Sequence, residues 1–185
     1  KGVKVAVQGL GSVGTSLCEM LHSAGAELIV SDMNAEKVQH VVNSFQAKAV
    51  DLDDIYSVDA DVFAPCALGA VINDETIDQL KFSVIAGAAN NVLLSQEKHG
   101  QILKDKNILY APDYIINAGG VINVYYEVIE DYVRESVTAK VKHIYQTLLD
   151  VYKISDEENI PTHIASARFS ERRIDMIGKV KRTYI

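Results

Sequence analysis

VAVQGLGSVGTSL, residues 5–17, sets an apolar run against three glycines spaced G-x-G-x-x-G, at Gly9, Gly11 and Gly14. The spacing alone is weak evidence, because glycines also serve ordinary turns. Its context is stronger: the glycines follow a strand-like run, open a helical pattern, and precede an acidic residue, Asp32, at the end of the next apolar run. Gly9 permits the tight turn, Gly11 lets backbone approach a pyrophosphate, and Gly14 lets the helix pack closely on the strand. The helix start then offers N–H groups and a positive dipole end to phosphates. Asp32 can accept hydrogen bonds from both hydroxyls of an adenine ribose, and its charge repels a 2′-phosphate, which favours NAD over NADP. The alternative is a structural turn with a surface aspartate.

Outward from this stretch, short runs rich in Val, Ile and Phe alternate with helix-length segments. Strands are predicted over 3–8, 28–31, 47–50, 61–64, 82–86 and 107–110. Helices are predicted over 12–24 (Val13, Leu17, Met20 and Leu21 on one face), 35–45 (Val38, Val41, Val42 and Phe45) and 95–105 (Ile102 and Leu103). This alternation predicts an α/β, doubly wound (Rossmann) parallel sheet covered on both faces. The link DLDDIYSVDA, 51–60, is too short for a full helix and marks the crossing to the other side of the first strand, giving the order 3-2-1-4-5-6.

After Gly120 the period changes. Val121, Val124, Val128, Tyr132, Val141, Ile144 and Leu148 recur at helical spacing, which predicts one long helix. SDEE at 155–158 has a capping-box pattern, and Pro161-Thr162 reads as the entry to a last amphipathic helix reaching about 178. The expected organisation is a Rossmann dinucleotide-binding core over 1–118 and a helical extension over 119–185 packed on the same domain.

The 185 residues, 48% hydrophobic and 23% charged, fit one substantial globular core rather than a disordered or membrane protein. A net charge of −7 argues against nucleic acid as a partner. The basic cluster Arg168, Arg172, Arg173, Lys179, Lys181 and Arg182 is interleaved with Glu171 and Asp175, as on a solvated or partner-facing helix. Cys18 and Cys66 form no C-x-x-C or Cys/His cluster, so a reducing, cytoplasmic setting is expected. The chain opens on Lys1 and Gly2 and then a strand-like run, so it is expected to be a piece of a longer protein, with neither initiator methionine nor signal peptide in this stretch.

In such a sheet ligands bind at the carboxyl ends of the strands. There the fourth, fifth and sixth runs end in APCALGA (64–70), AGAANN (86–91) and APDYIINAGG (111–120). Small residues let a flat ring lie on backbone, and Asn90 and Asn117 can offer donor and acceptor to a carboxamide or ribose. A turn role suits either asparagine equally well. Cys66 has no His or Lys near it in sequence to lower its pKa, so a packed small residue is favoured over a reactive thiol. No Lys or His on these loops can act as a general base near neutral pH, and the five histidines show no metal-ligand spacing. Neither catalytic nor metal-binding residues are expected in this chain.

VAVQGLGSVG (5–14), FAPCALGAVINDETI (63–77), VIAGAANN (84–91), YAPDYIINAGGVINV (110–124) and IPTHIASAR (160–168) together resemble the cofactor domain of the dehydrogenases of glutamate, leucine, phenylalanine and valine. The likeness is greatest to the leucine dehydrogenase branch. It implies NAD-dependent, reversible oxidative deamination of a branched-chain L-amino acid, with hydride passing from the alpha carbon to the nicotinamide. The imine left behind is hydrolysed to a 2-oxo acid and ammonium. It also implies that Gly9, Leu10, Gly11, Ser12, Val13 and Gly14 hold the pyrophosphate and that Asp32 and Asn34 hold the adenine ribose. Cys66, Ala67, Ala88 and Asn90 would border the nicotinamide riboside, and Asn117 would lie beside the nicotinamide and the substrate's polar end. Val121 and Val124 would form an apolar wall of the substrate pocket.

Two departures stand out. Tyr125 and Tyr126 occupy positions where leucine-acting members resemble Ala-Asp, and the family's lysines and catalytic aspartate belong to an N-terminal domain preceding the glycine loop. Because hydride transfer needs both reactants held within a few ångströms, the chain by itself is expected to bind dinucleotide without turnover. The full enzyme is expected to be a homo-oligomer without membrane attachment. The competing assignments are a phenylalanine, valine or glutamate dehydrogenase sibling and a stand-alone NAD-binding regulatory module.

Overall fold

The computed structural model describes residues 2–129 and 132–183, with side chains described to Ile177, in two compact units, Lys1–Asn117 and Ala118–Ile185. In the first unit β1 (Lys4–Gln8), α1 (Ser12–Ser23), β2 (Glu27–Ser31), α2 (Ala35–Phe45) and β3 (Lys48–Ala49) alternate as expected. A 3-10 turn (Asp54–Tyr56) leads to β4 (Val62–Pro65), β5 (Val84–Ile85), α3 (Gln96–Asp105), β6 (Leu109–Tyr110) and the short α4 (Asp113–Ile116). The six strands form a parallel sheet in the order β3-β2-β1-β4-β5-β6, so the chain crosses back over β1 after β3.

The two-residue side-chain period of a strand divides the core between the two faces of this sheet. Val5 and Val7 of β1, Leu28 and Val30 of β2 and Ala64 of β4 pack on one side with Cys18 of α1 and Val41 of α2. Ala6, Phe63 and Ile85 turn to the other side, where they meet Ile55, Ile72, Phe82 and Leu103. Phe63 stacks on Phe82 with centroids 5.2 Å apart and takes the edge of Tyr56 at 5.7 Å, contacts worth about 0.5–1.5 kcal/mol each beyond their buried area. β5 and β6 are shorter than their apolar runs. Ladder-like bonds nevertheless continue past them, from the Ala86 N–H to Phe63 O and from the Ala111 N–H to Ile85 O, both at 2.9 Å.

The helix boundaries are set by local chemistry. Asn34 opens α2 by accepting the Glu36 and Lys37 N–H groups at 2.9 and 3.1 Å, and Ser95 opens α3 by accepting that of Lys98 at 3.2 Å. α2 closes on Gln46 in the left-handed region, at φ 56.

The second unit comprises α5 (Gly119–Val128), α6 (Arg134–Glu158) and α7 (Thr162–Thr183). The single long helix expected after Gly120 is therefore two helices. The Tyr132 hydroxyl donates to Asn123 Oδ1 at 3.0 Å, which a continuous helix would forbid, since nine residues there span about 13 Å. Val133 is extended at φ −116, ψ 115, while Glu130 and Asp131 lie outside the described residues. The apolar period survives the break, which is why the sequence does not announce it.

SDEE, expected to cap a helix start, is instead the last turn of α6. Asn159 follows in the left-handed region at φ 52, and Ser155 Oγ donates to Ile160 O at 2.5 Å, so this serine ties off a C-terminus. Of the C-terminal basic cluster, Arg168 and Arg172 both pair with Glu158 at that same end of α6 while staying about half exposed, as on a solvated helix. The side chains of Lys179, Lys181 and Arg182 lie outside those described. Among the described residues no helix is long and apolar enough to cross a membrane.

Candidate functional site

The glycine turn sits at the carboxyl end of β1. Gly9 adopts φ +95, its N–H donates to Ser31 O at 2.8 Å, and a Cβ there would come within 2.8 Å of the Ala67 nitrogen. Gly14 is tighter still: a Cβ would lie 2.0 Å from Gly9 O. Gly11 is the opposite case, since a Cβ on it would meet nothing within 4 Å. Gly11 also caps α1 without a side-chain hydrogen bond, and no acidic residue stands in the first turn of that helix. The first turn of α1 thus supplies no carboxylate of its own to its positive end, and the space beside Gly11 is open.

Asp32, half-buried beyond the end of β2, accepts the Leu10 N–H through Oδ2 at 2.5 Å and the Asn34 N–H through Oδ1 at 2.7 Å. A carboxylate has about four lone-pair positions, so these bonds leave room for two further donors. Asn34 Oδ1, by contrast, is committed to capping α2. The bracing of the turn by Asp32 is not visible in sequence, where only the distance from Gly14 is.

Ser12, Val13, Ala86, Gly87, Ala88 and Ile116 line a cleft of about 360 Å³, which brings the start of α1 against the loop after β5. Asn117 Nδ2 donates to Asn90 Oδ1 at 2.6 Å, so the two candidate amides from different loops meet. Ala67 packs over Gly9, and the Cys66 N–H donates to Gln8 O at 2.7 Å. Burial pushes the Cys66 thiol above its ordinary pKa, with a backbone hydrogen bond from Ala88 opposing in part, which favours the protonated form. Val121 and Val124 belong to the other unit, one turn apart on α5, and are 75% and 54% exposed.

Two bracing residues went unnoticed in the sequence. Asp113 is buried and accepts the Val92 N–H at 2.8 Å, tying the loop after β5 to α4. His99, 1% exposed, accepts the Ser95 N–H on Nδ1 at 3.0 Å, which leaves the proton on Nε2 to meet Asp74 Oδ1 at 2.9 Å. Single polar residues in apolar surroundings carry no periodic signal. Only the burial of Asp113 and His99 reveals them.

Residues 30–177 match the family model described as Glutamate/Leucine/Phenylalanine/Valine dehydrogenase. Leucine dehydrogenase from Thermoactinomyces intermedius is 50% identical over 185 residues, which is 100% of this chain and 50% of that protein. L-tryptophan dehydrogenase from Nostoc punctiforme is 49% identical over 174 residues, 94% of this chain and 49% of that protein. The crystal structure of L-tryptophan dehydrogenase from Nostoc punctiforme superposes with a TM-score of 0.95 at 48% identity, over 97% of this chain and 53% of that one. The chain spans about half the length of these relatives. With half of its residues shared across its full length and the same fold, this chain belongs to the Glutamate/Leucine/Phenylalanine/Valine dehydrogenase family.

Proposed function

We propose that the Lys1–Asn117 unit is an NAD-binding module and that the whole protein is an NAD-dependent amino acid dehydrogenase acting on an amino acid with an apolar side chain, leucine foremost. The observation that carries this is the start of α1: a helix end with no side-chain cap and no acidic residue in its own first turn, behind a turn at Gly9, φ +95, that Asp32 braces. That end suits a diphosphate, because backbone N–H groups and the helix dipole favour negative charge there. Gly11, where a Cβ would meet nothing within 4 Å, leaves room for phosphate oxygens to reach the backbone.

In this assignment Gly9, Leu10, Gly11, Ser12, Val13 and Gly14 cradle the diphosphate. Asp32 takes the adenine ribose hydroxyls on its remaining lone pairs, and its charge disfavours a 2′-phosphate, which selects NAD over NADP. Cys66, Ala67, Ala88 and Asn90 border the nicotinamide riboside, with Asn117 beside the ring. Bound NAD supplies the hydride acceptor. Val121 and Val124 are assigned to the substrate's side chain, where burying a leucine-sized group is worth about 1.5–3 kcal/mol and an unpaired carboxylate is penalised.

Calorimetric titration of the chain with NAD and NADP tests the module, with NAD expected to bind and NADP to bind more weakly. An absence of NAD binding overturns the assignment. The whole protein, assayed for NAD reduction with leucine, phenylalanine, tryptophan and glutamate, tests the activity, and leucine is expected to give the highest kcat/KM.

A further inference from the structure

We propose that Asp113 is a positioning residue for the nicotinamide end of the dinucleotide, setting the side-chain amides of Asn90 and Asn117 against one another. The proposal rests on the NAD assignment above and concerns a residue that takes no part in it. Asp113 is 4% exposed and spans two loops with one side chain. Its Oδ2 accepts the Val92 N–H at 2.8 Å, two residues beyond Asn90, and its Oδ1 accepts the Tyr114 N–H at 2.7 Å, which fixes the carboxylate at the start of α4. Its backbone carbonyl accepts the Asn117 N–H at 3.0 Å, while its own N–H donates to the Tyr110 hydroxyl at 3.2 Å. The Asn117 backbone and the segment just beyond Asn90 are therefore tied to one buried residue.

The far side of the Asn90 segment is fixed as well. The Ala70 N–H donates to Asn91 O at 2.6 Å, and a Cβ on Gly69 would fall 2.5 Å from Asn90 O. Held between these two supports, the amides meet with a defined polarity. Asn117 Nδ2 donates to Asn90 Oδ1 at 2.6 Å, which leaves Asn117 Oδ1 as an acceptor and the Asn90 Nδ2 group as a donor. A primary carboxamide presents the complementary pair, one N–H donor and one carbonyl acceptor. Burying a carboxylate is costly unless its oxygens are hydrogen-bonded, and here each oxygen accepts one backbone N–H, from Val92 and from Tyr114. Asparagine in its place would set an NH2 group against one of those N–H groups.

The test compares NAD with ADP-ribose, which keeps the adenosine and the diphosphate but lacks the nicotinamide. In the chain carrying Asp113→Asn, with folding checked by thermal melting, NAD affinity is expected to fall about fivefold or more, the size of one lost hydrogen bond, while ADP-ribose affinity stays within about twofold. In an Asn90→Ala background the same substitution is expected to change NAD affinity no further, because its effect runs through that amide. Equal losses for NAD and ADP-ribose, an unchanged NAD affinity, or a penalty that persists without Asn90 would each overturn the positioning role. If Asp113→Asn does not fold, Tyr110→Phe, which removes the hydroxyl behind Asp113 but keeps the carboxylate, must show the same NAD-selective loss in smaller degree; its absence overturns the proposal. A chain that binds neither ligand before substitution brings down the NAD assignment itself, whereas one that binds both and loses both equally brings down only the role of Asp113.

Discussion

Asp32 Oδ2 accepts the Leu10 N–H at 2.5 Å, so the carboxylate beyond β2 holds the glycine turn beyond β1. The residue assigned to the ribose also braces the loop assigned to the diphosphate. Asp32→Ala is expected to weaken NAD binding by about tenfold or more, because charge-assisted bonds are lost in both places. Asp32→Asn, which keeps one accepting oxygen, should fall between. NADP should lose less than NAD, since the repelling charge has gone. Calorimetry that gives equal NAD affinity for the unchanged chain and Asp32→Ala removes Asp32 from the site.

Gly11 and Gly14 are expected to separate binding from stability. A Cβ at position 14 would lie 2.0 Å from Gly9 O, so Gly14→Ala must push the turn off the helix, at about 1–3 kcal/mol of stability. At position 11 a Cβ meets nothing within 4 Å, and the backbone there, φ −68, ψ −169, suits alanine. Gly11→Ala should melt within a degree or two of the unchanged chain yet bind NAD more weakly. If both variants lose stability alike, or Gly11→Ala binds as before, the open space at Gly11 is not where phosphate approaches.

The contrast between these glycines also shows what a sequence does and does not display. Strand order, sheet direction and the glycine turn are legible in the order of short apolar runs, because a parallel sheet buried on both faces leaves each strand as such a run. The α5–α6 break is not legible, because Val121, Val124, Val128 and Tyr132 keep helical spacing right up to it, and a tyrosine hydroxyl reaching Asn123 has no periodicity to detect. SDEE misleads for a related reason: Ser and Glu three apart suit the start of one helix and equally the last turn of another. At the site, residue types marked Asp32, Asn90 and Asn117, but not the pairing of the two amides or the role of Asp113, which depend on loops more than twenty residues apart meeting in space.

Cys18 makes stability depend on alkaline pH. It lies fully buried between α1 and the sheet, and burial pushes its thiol up to about 11. An unfolded cysteine titrates near 8.5, roughly. A folded pKa raised above the unfolded value means that the native state holds its proton more tightly, so the stabilisation is complete below about 8.5 and is lost as pH rises through about 11. Urea midpoints should therefore fall across that window. Cys18→Ala should be less stable near neutral pH, for the cavity it leaves, but should show a shallower decline, with Cys66, also raised by burial, supplying what remains. A slope unchanged by Cys18→Ala would assign the alkaline loss to other groups.

Val124 carries the substrate part of the assignment. It stands one turn from Val121 on α5, and both are more than half exposed, so neither is needed for the core of its own unit. Val124→Ser should therefore leave thermal stability nearly unchanged, as surface substitutions do. In the whole protein the same change replaces apolar contact with a hydroxyl, and discrimination of that kind is worth about 1–3 kcal/mol, or roughly 10- to 200-fold in kcat/KM. The expected result is a fall in kcat/KM for leucine relative to a polar amino acid such as glutamate or serine, with NAD affinity untouched because Val124 is assigned to the substrate and not to the dinucleotide. A ratio of kcat/KM values that does not move would show that Val124 does not contact the substrate, while leaving the NAD-binding assignment standing on its own evidence.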